Sequence, residues 1–344
     1  MVPMIINPFR FAGPAGPAAG WKEVARTTLG SDSTTIDVSG IPDKRYYIVL
    51  LHYLRGGTNQ CGMRFNNDSG SNYARRYNYN GNADSTGTSE TGFDFTGNAS
   101  SSNNFAIFFI ANEPDKEKLV SLHVNEVGPL SSSFIGDRRE QVAKWANTSN
   151  AINQITAICS ASTYASGSEM VVLGYDPDDT HTENFWEELA DVTLGSDSAQ
   201  ISSGTITAKK YLWFQTYFQS ASNSNDVLVQ FNNDTGNNYS MRHAINYGSD
   251  VQTVTSPNIR LTDRNGGADQ GRYTNSFVIN KSDEEKGLIT HGCEEETSGA
   301  ANPPTVNQCV SKWSCEPCQI TEIDCFTDSG NIRAGARLKV WGSD

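Results

Sequence analysis

Short runs of aromatic and β-branched residues recur along the chain, separated by segments rich in Gly, Pro, Asn, Asp and Ser. The clearest run, 46–54, reads YYIVLLHYL, with Pro42 and Asp43 before it and Gly56 and Gly57 after it. Such runs between turn-forming residues predict β-strands. No stretch of a dozen residues shows the 3.6-residue period of an amphipathic helix, so the pattern predicts an all-β protein.

The strand predicted at 46–54 has one unusually apolar face. Side chains alternate across a strand, so Tyr46, Ile48 and Leu50 share this face, while the opposite face is apolar enough to belong to the core. The matching run in the second half of the chain, Tyr211–Gln219, carries two glutamines on the corresponding face. We therefore expect another chain, domain or loop to cover the face that contains Tyr46, Ile48 and Leu50.

The two halves of the chain repeat one another. Residues 21–33, WKEVARTTLGSDS, match 186–198, WEELADVTLGSDS, at nine of thirteen positions and an offset of 165. Residues 65–73, FNNDSGSNY, match 231–239, FNNDTGNNY, at an offset of 166. Weaker matches continue at an offset near 168. A nearly constant offset over a whole copy indicates a duplicated domain with colinear copies.

The repeat predicts an extended N-terminal arm (1–20), copy one (21–175), a linker (176–185) and copy two (186–344). Each copy carries about nine predicted strands at sandwich-like spacing, which predicts two tandem jelly-roll-like β-sandwich domains. Pro and Gly disfavour regular structure in the arm, yet its apolar side chains should dock on a neighbouring subunit or on copy one. The predicted anchor residues are Ile5, Ile6, Phe9 and Phe11 of the arm, with Tyr46, Ile48 and Leu50 of copy one.

The formal net charge of −13 changes the range of expected partners. Binding to a nucleic-acid backbone needs a surface rich in Lys and Arg, and docking on an anionic membrane needs a basic patch. No apolar run approaches the 18 residues typical of a membrane span. We therefore expect neither nucleic acid nor a membrane as a partner.

The seven cysteines are distributed unevenly, with two in copy one and five in copy two. Cys159 matches Cys325 in the repeat, and the apolar neighbours of Cys159 favour packed thiols at both positions. A CxxC pair in copy two leaves three alternatives open, namely zinc binding, disulfides and free thiols. The candidate residues are Cys309, Cys315, Cys318 and Cys325. No metal or other cofactor is predicted.

Motifs for catalysis are missing, since none of the five histidines lies in a metalloprotease or nucleophile-elbow context. His123 and His291 are equivalent in the repeat but have different neighbours, which favours a structural role for both. The chain is therefore predicted not to be an enzyme, with no catalytic residues. Tyr239 and Tyr247 lie in segments rich in Asn and Gly, where they could stack on a sugar ring or pack at a sandwich edge.

The Asn-Asn-Asp-Ser/Thr-Gly segments also recur in both copies. Asp68 and Asp234 lie in loops that loosely match a calcium-binding loop but lack its bidentate Glu. Asn, Asp and Gly are also the residues that close tight turns. We favour the turn over the calcium site.

The arm residues Asn7 to Phe11, Trp21, the Leu29-Gly30 and Ile41-Pro42 pairs, and the segment 65–73 resemble β-sandwich domains of phage virion and tail proteins. The resemblance implies a non-enzymatic virion protein, made in the host cytoplasm, that is a capsid decoration (cement) protein or a head or tail fibre component. It would be anchored to other capsid or tail subunits through the arm and copy one, as a homo-oligomer such as a trimer. The alternative is a carbohydrate-binding module that attaches to a host surface glycan.

Overall fold

In the computed structural model, all regular secondary structure of the described residues is β, arranged as two sandwich-like halves. The described residues are 20–55, 57, 60–96, 103–128, 131–221, 225–262, 268–295 and 298–344. The predicted all-β class with tandem sandwiches is confirmed. The arm residues Ile5, Ile6, Phe9 and Phe11 lie outside the described residues.

Copy one contains twelve of the described strands. They are β1 (Lys22–Thr28), β2 (Thr35–Ser39), β3 (Tyr46–Tyr53), β4 (Cys61–Phe65), β5 (Tyr73–Tyr79), β6 (Ser85–Glu90), β7 (Phe93–Asp94), β8 (Asn103–Ala111), β9 (Lys118–Gly128), β10 (Asp137–Trp145), β11 (Gln154–Cys159) and β12 (Glu169–Tyr175).

Copy two contains the other twelve. They are β13 (Glu187–Thr193), β14 (Gln200–Ser202), β15 (Tyr211–Gln219), β16 (Val227–Phe231), β17 (Tyr239–Ile245), β18 (Val251–Ser256), β19 (Ile259–Arg260), β20 (Gly271–Ile279), β21 (Lys286–Glu294), β22 (Thr305–Trp313), β23 (Ile323–Thr327) and β24 (Arg337–Ser343).

Each copy pairs an eight-stranded sheet with a four-stranded sheet. In copy one the strand orders are β1-β12-β3-β8-β9-β10-β5-β6 and β2-β11-β4-β7. Copy two has the same two orders in its equivalent strands, so the duplication extends to topology. Three strands of copy one were missed by the sequence pattern, namely the short β6 and β7 and the charged strand β10, which reads DRREQVAKW.

The core of each copy lies between its large and small sheets. Tyr47, Val49 and Leu51 of β3 are fully buried there, as the alternation of side chains predicts. Their counterparts in copy two, including Leu212 and Phe214, occupy the second core. The inward face of each large sheet was therefore assigned correctly.

The repeated turn has the same hydrogen bonds in both copies. In copy one, the Asp68 carboxylate accepts from Gly70 N at 2.8 Å, from Asn72 Nδ2 at 2.9 Å and from Trp145 Nε1 at 2.7 Å. The Asp234 carboxylate in copy two has the equivalent three donors. N–H donors contact both oxygens of each carboxylate, which favours structural turns over calcium loops at both segments.

A third buried cluster joins the two copies along the outward faces of their large sheets. We call this contact the inter-copy interface. Copy one contributes mostly aliphatic side chains and copy two mostly aromatic ones. The buried members are Trp21, Ile48, Leu50, Phe105, Ile107, Val171 and Leu173 of copy one, with Phe185, Trp186, Tyr211, Trp213, Phe277, Ile279, Ile289, Val310 and Trp341.

Candidate functional site

The polar part of the inter-copy interface lies beside the aromatic cluster and is held by side chains from both copies. Asn125 Nδ2 donates to the carbonyls of Leu288 and Ser311, each at 2.9 Å. Arg138 of β10 is 2% exposed and donates to Asp250 Oδ1 at 2.6 Å. Arg138 is thus paired with copy two, whereas Arg139 donates to the Asp94 carbonyl of copy one. Such partners explain how a largely buried strand can have a polar sequence.

Gly81 allows the backbones of the two copies to approach closely next to these ion pairs. Its φ is +70°, and a Cβ added there would lie 2.6 Å from the backbone nitrogen of Asp250. A larger residue is excluded both by the left-handed conformation and by the neighbouring backbone. The loop between β5 and β6 is therefore fitted to copy two.

Two buried glutamates bind donors from the opposite copy at this interface. Glu169 of copy one accepts from Lys210 Nζ and from the Tyr211 hydroxyl of copy two, both at 2.7 Å. Burial alone would raise the pKa of Glu169, but these hydrogen bonds and one from Thr28 lower it to about 2. In the reverse direction, Glu284 of copy two lies 2.6 Å from His52 Nε2 of copy one.

His123, Glu140 and His291 form a compact cluster at the same interface. His123 on β9 is the register partner of Glu140 on β10, and His291 on β21 is the register partner of Gln308 on β22. The two imidazole rings are 4.2 Å apart between centroids, and His291 Nε2 is 3.4 Å from Glu140 Oε2. The Nδ1 atom of His123 contacts the same carboxylate oxygen.

The protonation of this cluster follows from its partial burial. Burial lowers the pKa of His123, and this effect outweighs the opposing influence of Glu140. Burial would raise the pKa of Glu140, but the two imidazoles beside it hold that pKa well below its usual range. At neutral pH the cluster therefore presents an ionised carboxylate beside a neutral His123 imidazole.

The cluster lies at the wall of a cleft of about 510 Å³ between the copies. Asn78 and Asp84 of copy one line the cleft, as does Tyr247 of copy two. The outward side chain of Tyr247 is 75% exposed. Aromatic, amide and carboxylate groups in one concave surface suit a polar ligand.

The described residues contain one group of three His, Cys, Asp or Glu ligand atoms that all lie within 4.8 Å of one another, and it is this cluster. Sequence reasoning assigned His123 and His291 separate structural roles and did not single out Glu140. Their equivalence in the repeat was the available signal, but β10 was not recognised as a strand. The structure brings the two histidines together in one cluster, which the sequence pattern did not anticipate, and their structural role stays a prediction.

The two tyrosines proposed as glycan contacts differ in position. Tyr239 is fully buried in the copy-two core, where its hydroxyl accepts from Phe231 N at 3.0 Å. It cannot stack on a sugar, because its ring faces Phe231 and Trp313 inside the sandwich. Tyr247 is exposed and remains a candidate.

The cysteines do not form a zinc site among the described residues. Cys315 and Cys318 form a disulfide, whereas Cys309 and Cys325 are buried free thiols. The expected packed thiol is correct for Cys325 and wrong for Cys159, which is bonded to Cys61.

The copy-one disulfide follows from strand register. Cys61 on β4 is the direct partner of Cys159 on β11, whereas the residue opposite Cys325 is Val229. Val229 and Cys325 are the counterparts of Met63 and Ala157, so the pair at the disulfide register of copy two is Val227 with Thr327. Copy two therefore lacks both cysteines at this register.

The predicted copy-one anchors lie mostly beneath copy two. Ile48 and Leu50 are 3% and 0% exposed in the inter-copy interface, and Tyr46 is half-buried at its rim. Ile48 and Leu50 are therefore not available to another subunit. The corresponding face of β15 in copy two, which was expected to be more exposed to solvent, is buried at Trp213 and exposed at Tyr217.

An apolar groove of about 660 Å³ remains open on the outward face of copy one. Leu119 and Val142 line it and are 54% and 52% exposed, and Trp21, the residue next to the arm, lies at its edge. Exposed apolar surface of this kind marks interaction sites. The groove is the part of the outward face of copy one that copy two leaves uncovered.

No family model and no curated protein matches the chain. Among solved structures, it is similar to domains LG4-5 of the mouse laminin alpha1 chain, with 10% identity and a TM-score of 0.21 over 96% of this chain and 91% of that chain. It is also similar to Pseudomonas aeruginosa OccK1 (OpdK), with 8% identity and a TM-score of 0.13 over 86% and 98% of the two chains. An outer membrane channel from Pseudomonas putida F1 gives 11% identity and a TM-score of 0.13 over 80% and 97%. At these TM-scores the similarities support no functional argument.

In the described part of the chain, no helix has the length and apolarity that would be needed to cross a membrane.

Proposed function

We propose that the chain is a non-enzymatic structural protein of a phage virion, a capsid decoration protein or a head or tail fibre component. The observation that carries this proposal is the inter-copy interface, which joins two sandwiches through a shared buried cluster. Such a unit presents broad β surfaces, as a building block of a particle requires. The sequence resemblance of both copies to phage virion domains supplies the virion context.

The copy-one groove is the attachment surface in this proposal. The predicted anchors Ile48 and Leu50 are covered by copy two, so the exposed Leu119 and Val142 take their place, in a groove whose edge contains Trp21. The partner is a neighbouring capsid or tail subunit, and the chain itself assembles as a homo-oligomer. An apolar groove on an otherwise polar, acidic protein is a typical core of a protein–protein interface.

The test is incorporation of the chain into purified particles. Leu119→Asp combined with Val142→Asp places two charges in the groove, and we expect incorporation to fall strongly while the isolated protein stays folded, because both side chains are about half exposed. The matched control is Val251→Asp combined with Val254→Asp, two similarly exposed apolar residues on β18 of copy two. We expect this control to incorporate normally.

Quantitative blotting of density-purified particles gives the readout. Absence of the chain from wild-type particles would reject the virion role. Normal incorporation of the groove variant would reject the groove as the attachment surface.

A second candidate function is carbohydrate binding in the cleft beside Tyr247. The favouring observation is that Tyr247 is 75% exposed at a concave surface that also contains Asn78 and Asp84. An exposed ring stacks on a sugar while amide and carboxylate groups bind its hydroxyls. Binding to a glycan array should be lost in Tyr247→Ala and kept in Tyr273→Ala, another exposed tyrosine of copy two. Equal binding by both variants would reject the cleft.

A further inference from the structure

The histidine–glutamate cluster has the donor set of an open zinc site. Two imidazole nitrogens and one carboxylate oxygen are ligands that zinc and similar divalent transition metals prefer, with a fourth position left for water or a ligand. Here the donors are His123, Glu140 and His291, and their ligand atoms all lie within 4.8 Å of one another. The chemistry of the group therefore matches a known class of site.

The spacing of two of the donors matches that of two ligands on one ion. A tetrahedral ion with bonds of about 2.0–2.1 Å holds its ligands about 3.3–3.4 Å apart. The distance from His291 Nε2 to Glu140 Oε2 is 3.4 Å. His123 Nδ1 contacts the same oxygen more closely than two ligands of one ion can, so metal binding requires this pair to move apart. The two rings are tilted by 58° rather than stacked flat.

One of the three donors is left without a hydrogen bond. The Nε2 atom of His291 is buried and makes no hydrogen bond to any described residue. A buried polar atom without a partner is uncommon in folded proteins and calls for an explanation such as a bound ion. Because this nitrogen lies 3.4 Å from the carboxylate oxygen that His123 also contacts, an ion bound between them would satisfy it.

The surrounding charges are compatible with a cation. Arg138 lies 3.5 Å from the other oxygen of Glu140, and it orients the carboxylate in the way that outer ligands of metal sites do. The guanidinium is itself bound by Asp250 at 2.6 Å. Since Asp250 neutralises Arg138, the negative charge of Glu140 remains available.

We propose that His123, Glu140 and His291 bind one divalent transition-metal ion of the zinc class at the inter-copy interface. His123 and Glu140 come from copy one and His291 from copy two, so the ion links the two sandwiches. Its fourth position faces the cleft. Gln308, the copy-two equivalent of Glu140, carries no charge, which makes the site single despite the duplication.

The test uses the full-length protein, stripped of metal, with Cys293→Ser as the parent because Cys293 is an exposed free thiol on the same strand as His291. Zinc chloride is titrated calorimetrically, and cobalt(II) is added separately to read coordination from its visible spectrum. We expect one zinc per chain, a four-coordinate cobalt spectrum, and a rise in Tm when zinc is present.

The decisive variants are Glu140→Gln, which keeps the shape of the side chain, and His291→Asn. We expect each to lower zinc affinity by about 100-fold or more, since loss of a direct ligand costs at least as much as loss of an outer one. The control His181→Asn removes a histidine outside the cluster and should bind zinc as the parent does. Zinc should raise the Tm of the control but not of Glu140→Gln.

Two results would overturn the proposal. One is the absence of stoichiometric zinc binding by the parent, in which case the three side chains interact only through hydrogen bonds and charge. The other is unchanged affinity in Glu140→Gln, whose folding is checked by circular dichroism without metal.

Discussion

The two copies share one topology but have different side chains at equivalent contact positions. At the inter-copy interface, copy one presents mainly aliphatic residues such as Ile48 and Leu50, and copy two presents a stack that includes Trp213 and Trp341 at 4.6 Å. Inside the cores, copy one has the Cys61–Cys159 disulfide, where copy two has Val227 opposite Thr327. After duplication, the cores kept their shape while the outward faces diverged to fit one another.

This difference indicates that the outward faces of the two large sheets are complementary to one another. Two identical faces would place equal groups opposite each other, as His123 and His291 still show. Elsewhere the pairing is asymmetric, since Arg138 of copy one meets Asp250 of copy two. Asymmetric pairing favours contact between unlike copies within one chain over contact between like copies.

The largest expected effect comes from the aromatic half of the interface. Trp213→Ala should lower the free energy of unfolding by about 3–5 kcal/mol, because it leaves a cavity beside Trp341 and Phe277. Ile48→Val on the aliphatic half should cost about 0.5–1.5 kcal/mol. Urea unfolding monitored by circular dichroism gives both values. Equal costs would show that the two halves of the interface are not distinct.

The disulfide comparison comes next. Cys61→Val gives copy one the residue that copy two has, and should lower stability by about 3 kcal/mol in oxidising buffer. Val227→Cys combined with Thr327→Cys places two thiols opposite one another and should close the equivalent bond in copy two. The measurement is Tm with and without a thiol reductant. If the reductant leaves the wild-type Tm unchanged, the Cys61–Cys159 disulfide does not stabilise copy one.

Acid should weaken the interface through Glu169. Its pKa is lowered to about 2 in the folded chain, so its contribution is complete above the ordinary pKa near 4.5 and is lost as the pH falls towards 2. Glu169→Gln should cost about 2 kcal/mol at pH 7 and flatten the loss of stability over that acidic range. Stability curves from pH 7 to pH 2 test this. A variant with the wild-type acid slope would exclude Glu169 as the titrating group.

The smallest effect concerns a feature that the copies have kept. Tyr73 and Tyr239 each bind the backbone nitrogen of the phenylalanine that begins the repeated turn, at 2.9 and 3.0 Å. Tyr73→Phe and Tyr239→Phe should each cost about 1 kcal/mol, because each hydroxyl also donates to the carbonyl of the same phenylalanine and all of these buried hydrogen bonds are lost. Thermal unfolding of both variants should give matching shifts. Unequal shifts would mean that the cores have diverged as well.

The sequence by itself determined the class, the duplication and the inward face of the sheets. Alternation along 46–54 placed Tyr47, Val49 and Leu51 in the core, since the two-residue period of a strand is a local property. The repeated turn was identified by its residue types, because Asn, Asp and Gly close such turns through bonds within a few residues.

Only the tertiary structure decided which groups meet across long sequence separations. Strand β10 was missed because partners distant in sequence, such as Asp250 of copy two for Arg138, match its charges, and no local pattern contains that information. Cys61 meets Cys159 through strand register, and His123 meets His291 through the docking of two sheets. Local periodicity shows which face of a strand is buried, but what covers that face depends on how whole sheets pack, and that is set by the complementarity of their surfaces.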